Sequence, residues 1–226
     1  FDGAFAVLEG SSIHSTYRFT EAQRASTRVL IGELTHQHSE LLAKGAVRAI
    51  RSGNSFIHAL FHLDRPSLTV VVRNRSTGEE PQYGYSPPHV GYDSANLDAW
   101  TTRALACVGV ARHTRHHDAA DIMRLAVQNA DDLGALRLLQ VISTWPTDDK
   151  TRPSSRGKHG PESDDHQVAR SMRDAAIAGV REKFGELANQ VLRSCEEYAR
   201  SHAVCVLRKR IHDPEHRFFL ALLLNV

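Results

Sequence analysis

Strand-type and helix-type patterning occupy separate parts of this chain. Alternating and β-branched stretches lie before about residue 95, apolar residues at helical spacing lie after it, and Pro87-Pro88 sit where the character changes. Strands first and helices after is the order of an α+β protein, because a doubly wound α/β sheet interleaves the two. The expected fold class is therefore α+β: an N-terminal mixed α/β segment with a short β-hairpin, then a mainly α-helical, bundle-like region. The expected divisions are an α+β region at 1–95, a helical hairpin region at 96–146, a disordered linker or lid at 147–167 and C-terminal helices at 168–226.

Within the first region, Ala4 to Leu8 and Ile13 to Phe19 read as strands around a turn at Gly10, Ser11 and Ser12. Val29, Leu30 and Ile31 read as a short buried strand. Leu41, Leu42, Ala46, Val47 and Ile50 share helical spacing, which predicts a helix over 37–51, capped by Thr35 and ended by Gly53, with Ser55 capping a further short segment. Leu68 to Arg73 is the clearest strand, β-branched and placed after Pro66. Ser76, Thr77 and Gly78 are turn residues, so Gln82 to Tyr85 is expected to return as its partner.

Beyond the prolines, Leu97 to Val110 predicts a helix with Leu97, Trp100, Leu105 and Val108 as its core face. Asp118 is placed to cap a helix through Ala130 that buries Ile122, Met123, Leu125 and Ala126. Asp132 to Ser143 reads as its antiparallel partner across a short connection. Residues 147–167 hold no large apolar residue and have linker composition. Helices are then expected over 168–183 and 186–210. Asp213, Pro214 and Glu215 have the order of a helix start. Phe218 to Leu224 is apolar on every face, so that last helix is expected to be buried in its own domain or against a partner, with oligomerisation through it as one form of the latter.

Composition narrows the function classes. The seven-residue run Phe218 to Leu224 is the longest apolar stretch, well below the ~20 residues that cross a bilayer. A formal charge of +2 is too small to make nucleic acid a default partner. Three cysteines, Cys107, Cys195 and Cys205, form no C-x-x-C pair, which fits a reducing compartment, the cytoplasm, and argues against a thiolate zinc site. The chain opens at Phe1 with no signal-peptide pattern and closes at Val226 in an apolar run; both ends read as cut. P-loop, dinucleotide-binding, nucleophile-elbow and zinc-protease motifs are all missing from the sequence.

Histidine is over-represented, with 14 in 226 residues. Arginine exceeds lysine 23 to 5, a GC-rich coding bias that itself favours histidine, so spacing matters more than number. His58 and His62, four apart, fall on one face of either a helix or a strand. Two imidazoles on one face form half of a zinc or iron site, with Asp64 or Glu33 to complete or orient it. On this reading His58 and His62 are metal ligands or catalytic acid/base groups, and the cofactor is a divalent transition metal, zinc or iron. The competing readings are an unmetallated polar site and plain packing; convergent ligands bring their ring nitrogens within about 3–4 Å, whereas packing residues diverge.

Four weaker groupings accompany that pair. Glu33 and His36 have the i, i+3 spacing of helical carboxylate–histidine sites, and His36 and His38 share a face if extended. His113, His116, His117 and Asp118 cluster between two expected helices, where solvation and capping explain them equally well. Tyr83, Tyr85, His89 and Tyr92 lie among prolines and glycines, and such an aromatic loop can line a small-molecule pocket or simply pack over strands. Arg208, Lys209 and Arg210 form a basic cluster without interleaved aromatics, a poor platform for nucleic acid. The two functional expectations are thus a metal-dependent or histidine-centred enzyme acting on a small molecule, and a non-catalytic helical interaction protein: an adaptor, regulator or subunit.

Overall fold

The structure is a computed structural model that describes residues 2–51, 56–74, 82–146 and 164–224. It is α+β, with strands in the N-terminal part and helices in the C-terminal part. The chain divides into two compact units, one drawn from 1–22, 32–81 and 200–226, the other from 23–31 and 82–199. Neither unit is a continuous stretch of chain.

The first unit contains β1 (Gly3–Glu9), β4 (Val47–Ile50), β5 (Ile57–His62) and β6 (Leu68–Arg73), with most of β2 (Ser12–Ser26) and β3 (Val29–Leu42). β4, β1 and β6 form an antiparallel sheet with β1 in the middle. Side chains alternate across a strand, so β1 turns Phe5 and Val7 inward, each 1% exposed, against Leu42 and Ile50. The second sheet pairs β5 with β2 in the register Ser12↔His62, His14↔Leu60 and Thr16↔His58. Its odd-numbered face carries Ile13, Phe61 and Leu63, which pack on Leu220 and Ala221 of α6 (Pro214–Leu223). Its even-numbered face carries His14, His58 and His62, and Phe5 of the first sheet packs on His14 and His58.

The helix expected over 37–51 is not formed. β3 runs through Thr35 to Leu42, a turn follows, and β4 begins at Val47. Gly45 takes φ +89° in that turn, a left-handed conformation that favours glycine. Backbone bonds from Val7 N to Ala46 O (2.9 Å) and from Gly45 N to Val7 O (2.8 Å) tie the turn to β1. The supposed stripe splits: Leu42 and Ile50 are buried, while Leu41 and Val47 are 61% and 57% exposed. Long-range pairing with β1 overrides local helical spacing. Gly53 and Ser55 lie outside the described residues.

The second unit holds β7 (Tyr83–Ser86) and β8 (Val90–Asp93), joined to Val29–Ile31 of β3. The hairpin forms, but with different partners. β7 returns on β8 around Pro87 and Pro88, and β6 pairs with β1 instead. Ser76, Thr77 and Gly78 lie outside the described residues. Helices α1 (Ala99–His113), α2 (Ala119–Asn129), α3 (Asp132–Ser143), α4 (Asp164–Phe184) and the start of α5 (Ala188–Arg208) surround a core of Met123, Val127, Leu136, Leu139, Ile142, Met172 and Val180. α1 buries Thr101, Ala104, Val108 and Ala111 rather than Leu97 and Trp100, which are 39% and 42% exposed. Its inward stripe is built of small residues, so the large ones turn outward. Leu125 of α2 is likewise 55% exposed.

Helix starts follow the expected chemistry at three of four aspartates. Asp98 accepts from Thr101 N, Asp131 from Gly134 N and Asp213 from His216 N. Asp118 stands at the start of α2 but makes no cap bond; its carboxylate lies 3.1 Å from His117 Nε2. The linker expected at 147–167 lies outside the described residues up to 163, and 164–167 already belong to α4. α6 is not wholly buried: Phe219 is 62% exposed, and Phe218, Leu222 and Leu223 are also open. No helix among the described residues is long and apolar enough to cross a membrane.

Candidate functional site

His58 and His62 both lie on β5 and share a face, as alternation requires. Four residues of extended chain nevertheless span about 13 Å, and the two rings have different neighbours. His62 Nδ1 lies between the hydroxyls of Ser12 (2.8 Å) and Ser67 (3.0 Å). Burial, then the Arg208 and Arg217 charges, lower its pKa, favouring neutral imidazole. His58 instead packs among Phe56, His14 and Phe5, with ring centroids at 5.3, 5.5 and 5.6 Å. The expected pair is therefore separated: strand rise places its members in different surroundings.

His58 has another partner, His14, which β2 places two strand positions along on the same face. His14 is 2% exposed. Its Nδ1 lies 3.0 Å from Glu40 Oε1. Glu40 is gripped in turn by Arg48, whose Nε donates to Oε1 at 2.8 Å and whose Nη2 donates to Oε2. The Arg48 bond first, and the His14 bond second, bring the Glu40 carboxyl down to about 2. Glu40 is thus a carboxylate, which only accepts hydrogen bonds. A neutral imidazole bonded to that carboxylate carries its proton on Nδ1 and its lone pair on Nε2.

Among the described residues His14 Nε2 has no hydrogen-bond partner, although it is buried. His58 Nδ1 is also buried without a partner, and burial first, then His14, lowers the His58 pKa. Buried polar atoms are normally satisfied, so two orphaned imidazole nitrogens on neighbouring rings call for a reason. Two imidazoles bound to one ion at 2.0–2.1 Å place their centroids about 5–5.5 Å apart at tetrahedral to trigonal angles. The observed centroid separation is 5.5 Å. The Glu40–His14 bond is the carboxylate–histidine arrangement that orients metal-bound imidazole.

The sequence pointed only faintly to His14. Its carboxylate lies 26 residues away, on a segment whose spacing suggested a helix. The only available signal was its parity with Ser12 and Thr16 on a strand.

The other candidates stand apart. Glu33 is exposed on β3, and Asp64 accepts from the Ser11 hydroxyl. Among the described residues, the one set of three groups with ligand atoms within 4.8 Å is His116, His117 and Asp118, all exposed. Their rings stack at 4.5 Å, and His116 Nδ1 already accepts from Asp118 N at 3.2 Å. His36 Nε2 is 2.8 Å from Ser39 Oγ on the exposed part of β3.

The four aromatic-loop residues do not gather round one pocket. In the β7–β8 register, Tyr85 faces Gly91 and Tyr92 faces Gly84. Tyr83 and Tyr85 therefore lie on one face and Tyr92 on the other. The Tyr83 hydroxyl donates to Thr27 O at 2.7 Å, Arg137 lies 5.4 Å from the Tyr92 ring centre, and His89 N donates to Ser194 Oγ at 3.0 Å. A ring opposite each glycine is how a short hairpin accommodates bulky side chains.

No family model, curated protein or solved structure matches this chain.

Proposed function

We propose that the first unit carries a divalent transition-metal centre ligated by His14 Nε2 and His58 Nδ1, and that the chain is a metal-dependent enzyme acting on a small molecule. The observation that carries this reading is the pair of orphaned nitrogens beside the Glu40–His14 bond. His14 is too deeply enclosed to meet an organic substrate, whereas a single ion needs only the space between two rings. Imidazole nitrogens suit zinc, iron(II) and copper. With two protein ligands, the remaining positions fall to water and substrate on the half-exposed His58 side. An ion there would polarise a bound oxygen or generate hydroxide near neutral pH. His58 and His62 retain the metal-ligand and proton-transfer roles assigned by type, but at separate positions. Three free thiols, with Cys195 pushed up to about 12 by burial, fit residence in the cytoplasm.

Titration of the full chain, purified without a histidine tag, with cobalt(II) tests this centre. The expected result is one ion per chain with a ligand-field absorption band, lost in His58→Ala and His14→Gln and retained in a His116→Ala/His117→Ala double variant. Binding that survives both single substitutions in folded protein would overturn it.

One observation favours the interaction-protein reading beside this. The outer face of the β4-β1-β6 sheet carries Val47, Ala49, Ala4, Ala6, Val70, Val72 and Leu68, with Glu9 opposite Leu68 at its end, past a bulge between Val7 and Glu9. Val72 is 69% exposed, and Val47 and Leu68 more than half. Apolar patches of this kind mark association surfaces. Light scattering of wild type against Val70→Lys/Val72→Lys tests it: association lost in the variant supports the reading, and a wild type that is monomeric without any partner contradicts it.

A further inference from the structure

At the opposite face of β5, the first unit buries a positive charge for which the described residues provide no ion pair. Arg217 of α6 is 2% exposed, yet its guanidinium makes one hydrogen bond, from Nη1 to the Leu63 carbonyl at 2.6 Å, and its Nε is buried without a partner. Arginine does not shed its proton to relieve such a position. Two further guanidiniums lie beside it. Arg208 sits 4.8 Å over the Phe61 ring, and its Nε is also buried without a partner. Arg65 reaches back to the carbonyls of Lys209 (3.1 Å) and Arg208 (3.5 Å). Phe61 and Leu63, which hold Arg208 and Arg217, are alternate positions on one strand face, about 7 Å apart.

Arg65 and Arg208 both repel Arg217. Burial first, then Arg65 and Arg208, pull the Arg217 pKa below its ordinary value, with Asp64 alone opposing them. Asp64 is already engaged by the Ser11 hydroxyl. Arg217 thus meets two further positive charges and one carboxylate. Burying an unpaired charge is strongly unfavourable, so a fold that gathers these groups is suited to a counter-anion. Guanidinium forks match carboxylate and phosphate oxygens in pairs.

An apolar groove of about 320 Å³ adjoins the cluster, lined by Leu63, Pro214, Glu215, Phe218 and Phe219. Pro214, Arg217 and Phe218 stand three and four residues apart on α6, hence on one helix face, and Leu63 supplies both the carbonyl that holds Arg217 and part of the groove wall. We infer that Arg217, Arg208 and Arg65 form a receptor for the carboxylate or phosphate head of a small amphipathic anion whose short apolar tail lies in this groove. Glu215, exposed at the rim, disfavours a second negative charge on the tail. The inference stands on its own observations, apart from the metal centre.

Calorimetry and thermal unfolding of the full chain with hexanoate, hexyl phosphate and hexanol test it. The expected result is saturable binding of hexanoate, hexyl phosphate or both, with a raised Tm and weakening as salt increases, and no comparable effect of hexanol. Comparison of the two anions distinguishes carboxylate from phosphate as the preferred head. Arg217→Met should weaken binding about 10- to 100-fold; Arg65→Met and Arg208→Met, at less buried positions, give the same direction if Arg217→Met fails to fold. Equal stabilisation by hexanol, no binding of either anion, or affinity unchanged in the folded arginine variants would overturn the inference.

Discussion

Replacing Glu40 with Gln alters one charge and leaves the side chain's shape nearly intact. In the wild type, both carboxylate oxygens accept: Oε1 from Arg48 Nε and His14 Nδ1, Oε2 from Arg48 Nη2. An amide offers one acceptor oxygen and one donor nitrogen. Because Oε1 serves both Arg48 Nε and His14 Nδ1, either orientation of the amide sets its NH2 against one guanidinium N–H and leaves no anion on His14. The carboxylate that orients a metal-bound imidazole and raises its basicity is thereby lost. Glu40 is 24% exposed at its side chain, so loss of its charge-assisted bonds should destabilise the protein by roughly 1–2 kcal/mol rather than by a buried-pair amount. That corresponds to a fall of about 3–6 °C in Tm for a chain of this size. Glu40→Gln should therefore bind cobalt(II) about 10- to 100-fold more weakly while remaining folded. Arg48→Met, which leaves the carboxylate on Nδ1, should lose comparable stability but keep the ion. Wild-type cobalt(II) affinity in folded Glu40→Gln would refute the reasoning.

The pH dependence follows from three groups. Glu40 has its folded pKa depressed from 4.5 to about 2, so its contribution is present above pH 4.5 and fades as pH falls toward 2; unfolding curves of wild type and Glu40→Gln should converge there. His58 and His62 are both depressed below 6.5, so the unfolded chain takes up protons first and stability declines as pH falls through and below 6.5. His58→Gln and His62→Gln should each flatten that decline, and an unchanged slope would contradict the assignment. Two helix glycines should respond to Ala with opposite signs. A Cβ on Gly179 would come within 2.8 Å of Val127 Cγ1, and overpacking of about 1–3 kcal/mol outweighs the helix-propensity gain. A Cβ on Gly109 meets nothing within 4 Å, so Gly109→Ala should stabilise by about 0.5–1 kcal/mol; urea unfolding of both variants checks the pair.

What could be read from the sequence was what local chemistry controls. β6 is β-branched and α6 opens on Asp-Pro-Glu, so both were evident. The α1–α3 spacing also identified three helices, although α1 proved to face inward with alanines and Thr101 while Trp100 turned out. What local chemistry does not control was missed. Residues 37–51 have helical spacing and β-structure, because Leu42 and Ile50 find their core only once β1 lies beside them. The partner of β7 is not legible locally, because pairing depends on which strands meet, which neither strand encodes alone. The site divided in the same way. His58 was visible from parity, but a strand that puts His58 and His62 on one face also holds them about 13 Å apart. His14, Glu40 and Arg48 meet through pairings between distant segments. Arg217 lies in a helix whose apolar pattern concealed a buried charge.

The most direct measurement is the anomalous difference density of a crystal of the full chain grown with zinc, recorded on both sides of the zinc absorption edge. The account predicts a single strong peak about 2 Å from both His14 Nε2 and His58 Nδ1, with the Glu40–His14 bond intact. Density confined to His116, His117 and Asp118, with the His14–His58 gap empty at saturating zinc, would contradict it.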